Sequence, residues 1–251
     1  MVARVALKGC RPIFSRGLPY NRKRDNEMIK ERQLAAEQRG VLRENNTISQ
    51  STTIETPAGR LVLRNFCSPS FVESLRADCG LRAFARLPER EHQLLVNIAR
   101  RPDSALTLAH TLSGEIVGEV TLAPADAWWA GLDQVYEGAV QVSSRWRRLG
   151  IARQLLAFAL HVDVLEEIII LAMGLSWHWD MEGLGLTPYR YRQLIAQLFA
   201  NYGFSEYLTS EPNIRMDPAN IMLARIGSHV DQQRINHFLN RLLSSQTLPG
   251  L

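Results

Sequence analysis

Val140-Gln141-Val142-Ser143-Ser144-Arg145-Trp146-Arg147-Arg148-Leu149-Gly150-Ile151-Ala152-Arg153-Gln154-Leu155-Leu156-Ala157-Phe158-Ala159-Leu160 is the stretch whose reading decides the fold. A short β-branched strand runs through a junction carrying four arginines and one glycine into an apolar-faced helix with no breaker. Such a junction suits an anion. The unpaired N–H groups of a first helical turn, the positive end of its dipole and a glycine without a side chain converge there.

Composition bounds what that junction can serve. The 251 residues suffice for a full core and fit one domain with extensions. With 46% hydrophobic and 22% charged residues, the chain is an ordinary globular protein, neither disordered nor fibrous. No apolar run approaches the roughly 18 to 20 residues of a membrane helix, so no membrane partner is expected, and residues 168–175 have the length of a buried strand. Cys10, Cys67 and Cys79 form no CxxC and no Cys/His spacing for zinc, which predicts no metal and a reducing, cytoplasmic setting. The net charge of +4 is concentrated in the first 24 residues, which hold seven Lys/Arg and no acid. The rest is close to neutral, so no nucleic-acid surface is expected.

Residues 1–53 therefore read as a basic, poorly ordered extension with a helical pattern over 26–38; their composition also matches a mitochondrial presequence. Residues 54–230 read as one domain and 231–251 as a C-terminal helix. A strand over 60–66 precedes a helix opened by Ser68-Pro69 and running to about residue 81. A second helix follows Pro88, with Leu94, Leu95, Ile98 and Ala99 on one face. The period then changes to two: residues 105–112 and 115–122 form a hairpin around Ser113-Gly114, and 135–142 supply the next strand. A helix over 151–165, a strand over 167–176, a helix from Thr187-Pro188 to 201, strands over 205–210 and 221–226, and a polar helix over 231–243 complete the pattern.

This order is no doubly wound alternation. It resembles the GNAT N-acetyltransferase superfamily, whose fourth strand ends in Arg/Gln-x-x-Gly-x-Gly/Ala; here the match is Arg147-Arg148-Leu149-Gly150-Ile151-Ala152, preceded by Val140-Gln141-Val142. The resemblance implies an α/β (α+β) fold, a single mixed and mostly antiparallel sheet flanked by helices. It also implies acetyl-CoA as acyl-donor substrate, its pyrophosphate at residues 147 to 152 and Arg153, and its pantetheine arm along Val140, Gln141 and Val142 by strand addition. Further motifs narrow the likeness: Ser176-Trp177-His178-Trp179-Asp180, Tyr189-Arg190-Tyr191-Arg192, Glu211-Pro212-Asn213-Ile214 and Pro218-Ala219-Asn220 are similar to the acetoin-utilisation protein acetyltransferases. That branch implies a protein substrate, an acyl-CoA synthetase such as acetyl-CoA synthetase, switched off by lysine acetylation. A GNAT acting on a small amine such as a polyamine, and a non-catalytic acetyl-CoA sensor, are the alternatives; oligomeric state is not legible.

The acceptor amine needs a proton acceptor, because a lysine of pKa near 10.4 is neutral in only about one molecule in 10³ at pH 7. In GNAT enzymes a fourth-strand carboxylate often serves. The usual position falls on Tyr136, one residue from Glu137, so Glu137 is the candidate if a bulge restores its facing. Glu119 and Asp180 are rivals, and His178 lies between two tryptophans where it could meet the lysine. The family's usual acid, a tyrosine four residues before Gly-Phe, is replaced by Phe199 before Gly203-Phe204, which leaves Tyr191 or Tyr202 to protonate the leaving thiolate. With no nucleophile elbow, direct transfer is expected, the oxyanion meeting a backbone N–H near Val142.

Overall fold

A computed structural model describes residues 2–3, 49–125 and 127–244. Alternating and fully apolar runs build its centre, a ten-stranded sheet. In chain order the elements are β1 (Val2–Ala3), β2 (Ser51–Thr56), β3 (Gly59–Arg64), α1 (Pro69–Glu73), β4 (Arg76–Ala77), α2 (Pro88–Arg100), β5 (Ala105–Thr111), β6 (Glu115–Pro124) and β7 (Val135–Val142). There follow α3 (Ile151–Leu160), β8 (Ile169–Gly174), α4 (Met181–Leu184), α5 (Pro188–Ala200), β9 (Ser205–Glu206), α6 (Pro212–Arg215), β10 (Ile221–Ile226) and α7 (Gln232–Leu242).

The sheet runs β2-β3-β5-β6-β7-β8-β10-β9, with β1 on β7 and β4 on β6. All pairings are antiparallel except β7 with β8 and β4 with β6. The mixed, mostly antiparallel sheet is the one anticipated. Its functional irregularity is between β7 and β8, which pair only at Val135–Glu137 and Ile169–Leu171 and then diverge. Into that gap β1 inserts, Val2 opposite Gln141 and Ala3 opposite Val140.

Alternation along β7 assigns its two faces. Tyr136, Val140 and Val142 pack with Leu155, Leu156 and Ala159 of α3 and Tyr191, Ile195 and Leu198 of α5. On the opposite face α2 covers Leu106, Leu108 and Ile116 through Leu95, Val96 and Ile98. There too, α7 covers Ile169, Leu171, Met173 and Met222 through Phe238 and Leu242. Each such fully buried leucine or isoleucine contributes about 1.5–3 kcal/mol over leaving it exposed.

The structure differs from the sequence reading mainly where local signals compete with sheet pairing. Ser68 caps α1 as its hydroxyl accepts from Phe71 N–H at 3.3 Å, but the helix ends at Glu73, not near residue 81. The N–H groups of Arg76 and Asp78 instead donate to Gly114 and Ile116 carbonyls at 3.0 and 2.9 Å, drawing this stretch onto β6. Helix α3 stops at Leu160, and residues 163–167 tighten into a 3₁₀ turn. Strand β2 begins at Ser51, inside the segment read as extension, and β9 has two residues. The helical pattern over 26–38 lies outside the described residues.

Candidate active site

The loop after β7 is shaped by two left-handed residues, Arg148 (φ 63°) and Gly150 (φ 75°). Gly150 takes the N-cap position of α3, which therefore has no side-chain cap. The start of α3 borders a cavity of about 320 Å³, lined also by Val142, Arg147, Arg148 and Ala152 and closed by the apolar Leu194 and Leu198 of α5. A Cβ on Gly150 would meet nothing within 4 Å, so the glycine serves the backbone conformation and keeps the ligand's side open. Ile151 and Arg153 also border this cavity. Val140 and Leu149 do not: Val140 is core, and Leu149 packs half-buried against it.

Gln141 faces the other way, into a second cavity of about 560 Å³ on the opposite side of the same strand end. Arg147 borders both. One wall is the turn after β4, whose four successive N–H groups end on two buried side chains. Oriented with its carbonyl oxygen toward the turn, Gln141 accepts from Arg82 (3.0 Å) and Ala83 (3.2 Å). Glu91 Oε1 accepts from Phe84 (2.6 Å) and Ala85 (2.9 Å). Below them the buried Asp78 accepts from Gly80 N–H at 2.8 Å, from Arg145 Nη1 at 3.0 Å and from the Ser143 hydroxyl. The fit is close: a Cβ on Gly80 would lie 2.2 Å from Ser143 Oγ.

The facing wall is residues 176–180. Ser176 N–H donates to Asn220 Oδ1 (2.7 Å), the Ser176 hydroxyl to Asp217, and Asn220 Nδ2 to the Asn213 carbonyl (2.7 Å). Glu211 caps α6 through Ile214 N–H at 2.7 Å. Motifs scattered over the last third of the sequence thus form one scaffold under Trp177 and His178. The His178 ring lies 6.3 Å from that of Phe84 and 5.9 Å from that of Trp177. Behind it Trp179 stacks on the buried Tyr191, rings 4.9 Å apart and 4° from parallel. Asp180 pairs with Arg147 and accepts from Gly183 N–H at 3.0 Å, capping α4. Burial pushes its carboxyl up, but the hydrogen bonds from Arg147 and Gly183 outweigh that and hold it below the ordinary aspartate range. Asp180 therefore fixes Arg147 between the cavities and is a poor proton acceptor at neutral pH.

Two cavities thus meet at the end of β7, one at Val142 and the other at Gln141, with Arg147 bordering both. Residues 70–171 match the profile of the acetyltransferase (GNAT) family. The acetoin utilization protein AcuA of Bacillus subtilis (strain 168) is 30% identical over 200 residues, 78% of this chain and 94% of its own. The chain belongs to the GNAT family, in its acetoin utilization branch. The AcuA of Bacillus licheniformis is 29% identical over 190 residues, covering 74% of this chain and 90% of its own. The crystal structure of an acetoin utilization protein from Exiguobacterium sibiricum 255-15 superposes with a TM-score of 0.74 at 29% identity, covering 78% of this chain and 94% of that one. As a GNAT enzyme, the chain is an acetyl-CoA-dependent N-acetyltransferase, with acetyl-CoA as substrate. Among the described residues no group of three or more His, Cys, Asp or Glu could hold a metal ion, and no helix is long and apolar enough to cross a membrane.

The two buried carboxylates of β6 and β7, Glu119 and Glu137, sit on one face of the sheet. β6 and β7 pair without interruption from Gly118–Val142 to Pro124–Tyr136, so no bulge turns Glu137 around. Glu137 already shares its face with Gln141, four residues on, while Tyr136 packs toward α3. It is 2% exposed and is not among the residues that line the second cavity. Glu119 stands opposite Gln141, 1% exposed, with no hydrogen-bond partner on either oxygen among the described residues. Burial first, and the neighbouring Glu91 second, push its carboxyl well above the usual range. A raised acid favours the fold in its protonated form: that contribution is complete below the unfolded value of 4.5 and is lost as pH rises through the folded one. Glu119→Gln, neutral at every pH, should gain melting temperature relative to wild type between pH 5 and pH 8; parallel melting curves for the two proteins would refute the assignment.

Sequence reasoning missed Asp78, Glu91 and the loop side chains. Glu91 carried a signal: with Leu95 and Ile98 it occupies the i, i+4, i+7 face of α2 that is buried.

Proposed function

We propose that the chain is a protein-lysine N-acetyltransferase that acetylates an acyl-CoA synthetase, acetyl-CoA synthetase above all, and thereby switches it off. The observation that carries this reading is the pair of cavities meeting at Gln141–Val142, one built for an anion and the other wide, with the 49%-exposed Trp177 at its wall. Likeness to proteins named for acetoin utilization supports the acceptor.

In this reading the donor's pyrophosphate meets the first-turn N–H groups of α3 and Arg148, and its arm extends along residues 140 to 142. The neutral lysine nitrogen enters from the opposite cavity and attacks the thioester carbonyl carbon. As the C–N bond forms, the carbonyl electron pair moves to oxygen, which a backbone N–H near Val142 stabilises. Collapse breaks the C–S bond and expels the thiolate. The amine proton passes to His178 in the cavity wall, with Glu137, on the same face of β7 as Gln141, as the strand carboxylate, and Tyr191 supplies a proton to the thiolate. Because a thiol of pKa near 8.5 leaves tolerably unaided, Tyr191→Phe should lower kcat only about tenfold and leave acetyl-CoA affinity unchanged, read by steady-state kinetics and calorimetry.

The deciding experiment incubates radiolabelled acetyl-CoA with purified acetyl-CoA synthetase. A synthetase labelled on lysine and inactivated is expected. If it stays unlabelled and active while free amines such as polyamines are acetylated, the reading is wrong.

A further inference from the structure

We propose that β2 is a self-pairing edge, through which two copies of this chain join their sheets around a two-fold axis at Thr53. The proposal does not depend on which amine the enzyme acetylates.

The sheet ends in two different ways. At one end β9 has two residues, and its Glu206 is held by Arg192. Short length and charge are usual means of keeping an edge from pairing. At the other end β2 lacks them. It runs six residues, Ser51-Thr52-Thr53-Ile54-Glu55-Thr56, with no proline and no lysine, and it pairs with β3 without a shift of register from Ser51–Arg64 to Thr56–Gly59. Its one charged side chain, Glu55, is taken up by Arg60 of the same hairpin at 2.6 Å.

The direction of the backbone groups follows from one bond. Asn65 N–H donates to the Gln50 carbonyl at 3.1 Å. Hydrogen-bonded pairs alternate along an antiparallel ladder, so Gln50, Thr52, Ile54 and Thr56 turn their backbone groups toward β3. Ser51, Thr53 and Glu55 turn theirs away. These three residues are exposed, and among the described residues no backbone group meets their N–H or C=O.

With Thr53 at its centre, this edge is complementary to itself. Laid antiparallel against a second copy, Thr53 faces Thr53 and Ser51 faces Glu55, so each outward N–H meets a carbonyl of the other copy. On one face a Ser51 hydroxyl lies across from a Glu55 carboxylate, while the two Glu55 side chains stay about 13 Å apart. On the other, the half-buried Ile54 is covered by Thr52 of the second copy. β3, β5 and β6 stand between β2 and β7, about 19 Å in all, so the pairing leaves both acyl-transfer sites open.

The test uses the full chain. Sedimentation should show a dimer whose population rises between about 1 and 100 µM, the regime of a small polar interface. Thr53→Pro removes an outward N–H that β3 does not use; it should weaken the dimer at least about tenfold and leave acetyl-CoA affinity and circular dichroism unchanged. Register is read by oxidation in a background with Cys10 and Cys79 replaced by serine. Thr53→Cys should form a disulfide between copies, its Cα atoms being about 5.5 Å apart, whereas Glu55→Cys, at about 13 Å, should not. A monomer at about 100 µM, a dimer indifferent to Thr53→Pro, or equal cross-linking of the two cysteine variants would each overturn the proposal.

Discussion

Replacing Gly150 with valine is expected to weaken acetyl-CoA binding at least about a hundredfold while the domain stays folded. At φ 75° a β-branched side chain costs about 1–2 kcal/mol or somewhat more, a loss that a domain stable by about 5–15 kcal/mol survives. Nothing in the protein lies within 4 Å of the new Cβ, so no clash adds to it. The isopropyl group instead stands over the uncapped first turn of α3, where the donor's phosphate oxygens would be. Losing two charge-assisted hydrogen bonds at about 1.5–3 kcal/mol each gives the expected factor. Calorimetry with acetyl-CoA and circular dichroism on the same samples check both halves; unchanged affinity would remove this loop from the donor site.

Glu91→Ala should strike the acceptor side in the same way and spare the donor. The side chain is fully buried, and its Oε1 accepts two of the four N–H groups that shape residues 82 to 85. Alanine leaves both without their acceptor, at about 1–3 kcal/mol each, and opens a cavity under α2. With only Gln141 still holding Arg82 and Ala83, the wall loses its fixed position, and kcat/KM for the protein acceptor should fall about a hundredfold with acetyl-CoA affinity intact. Glu91→Gln keeps an acceptor oxygen and should retain most of the activity. An equal loss of donor affinity in the alanine variant would show that α2 had unfolded, and would refute a local role.

The strand, loop and helix over residues 140 to 160 were legible in sequence because everything that shapes them is local: alternation, a glycine at positive φ and an apolar stripe. The hairpin of β5 and β6, and the caps at Ser68 and Thr187, were legible for the same reason. Gln141 shows where that reasoning stops. Its place on β7 was visible, but its amide holds the turn after β4, a contact that depends on which segment crosses that face of the sheet. Helix α1 was over-extended because the pairing of residues 76–78 with β6 leaves no mark in the local pattern. Glu119 was seen as a strand carboxylate, yet its isolation is a property of the assembled sheet, set by its register with Gln141 and by Glu91 from α2.

β1 adds a consequence of its own. Val2–Ala3 pair with the backbone of Val140 and Gln141, on the path proposed for the donor's extended arm. A donor taking that path must displace a strand tethered to the same chain, so only molecules with β1 undocked are competent to bind. The apparent dissociation constant is then the intrinsic one divided by that competent fraction. On that path, whatever holds Val2–Ala3 away from β7 tightens donor binding.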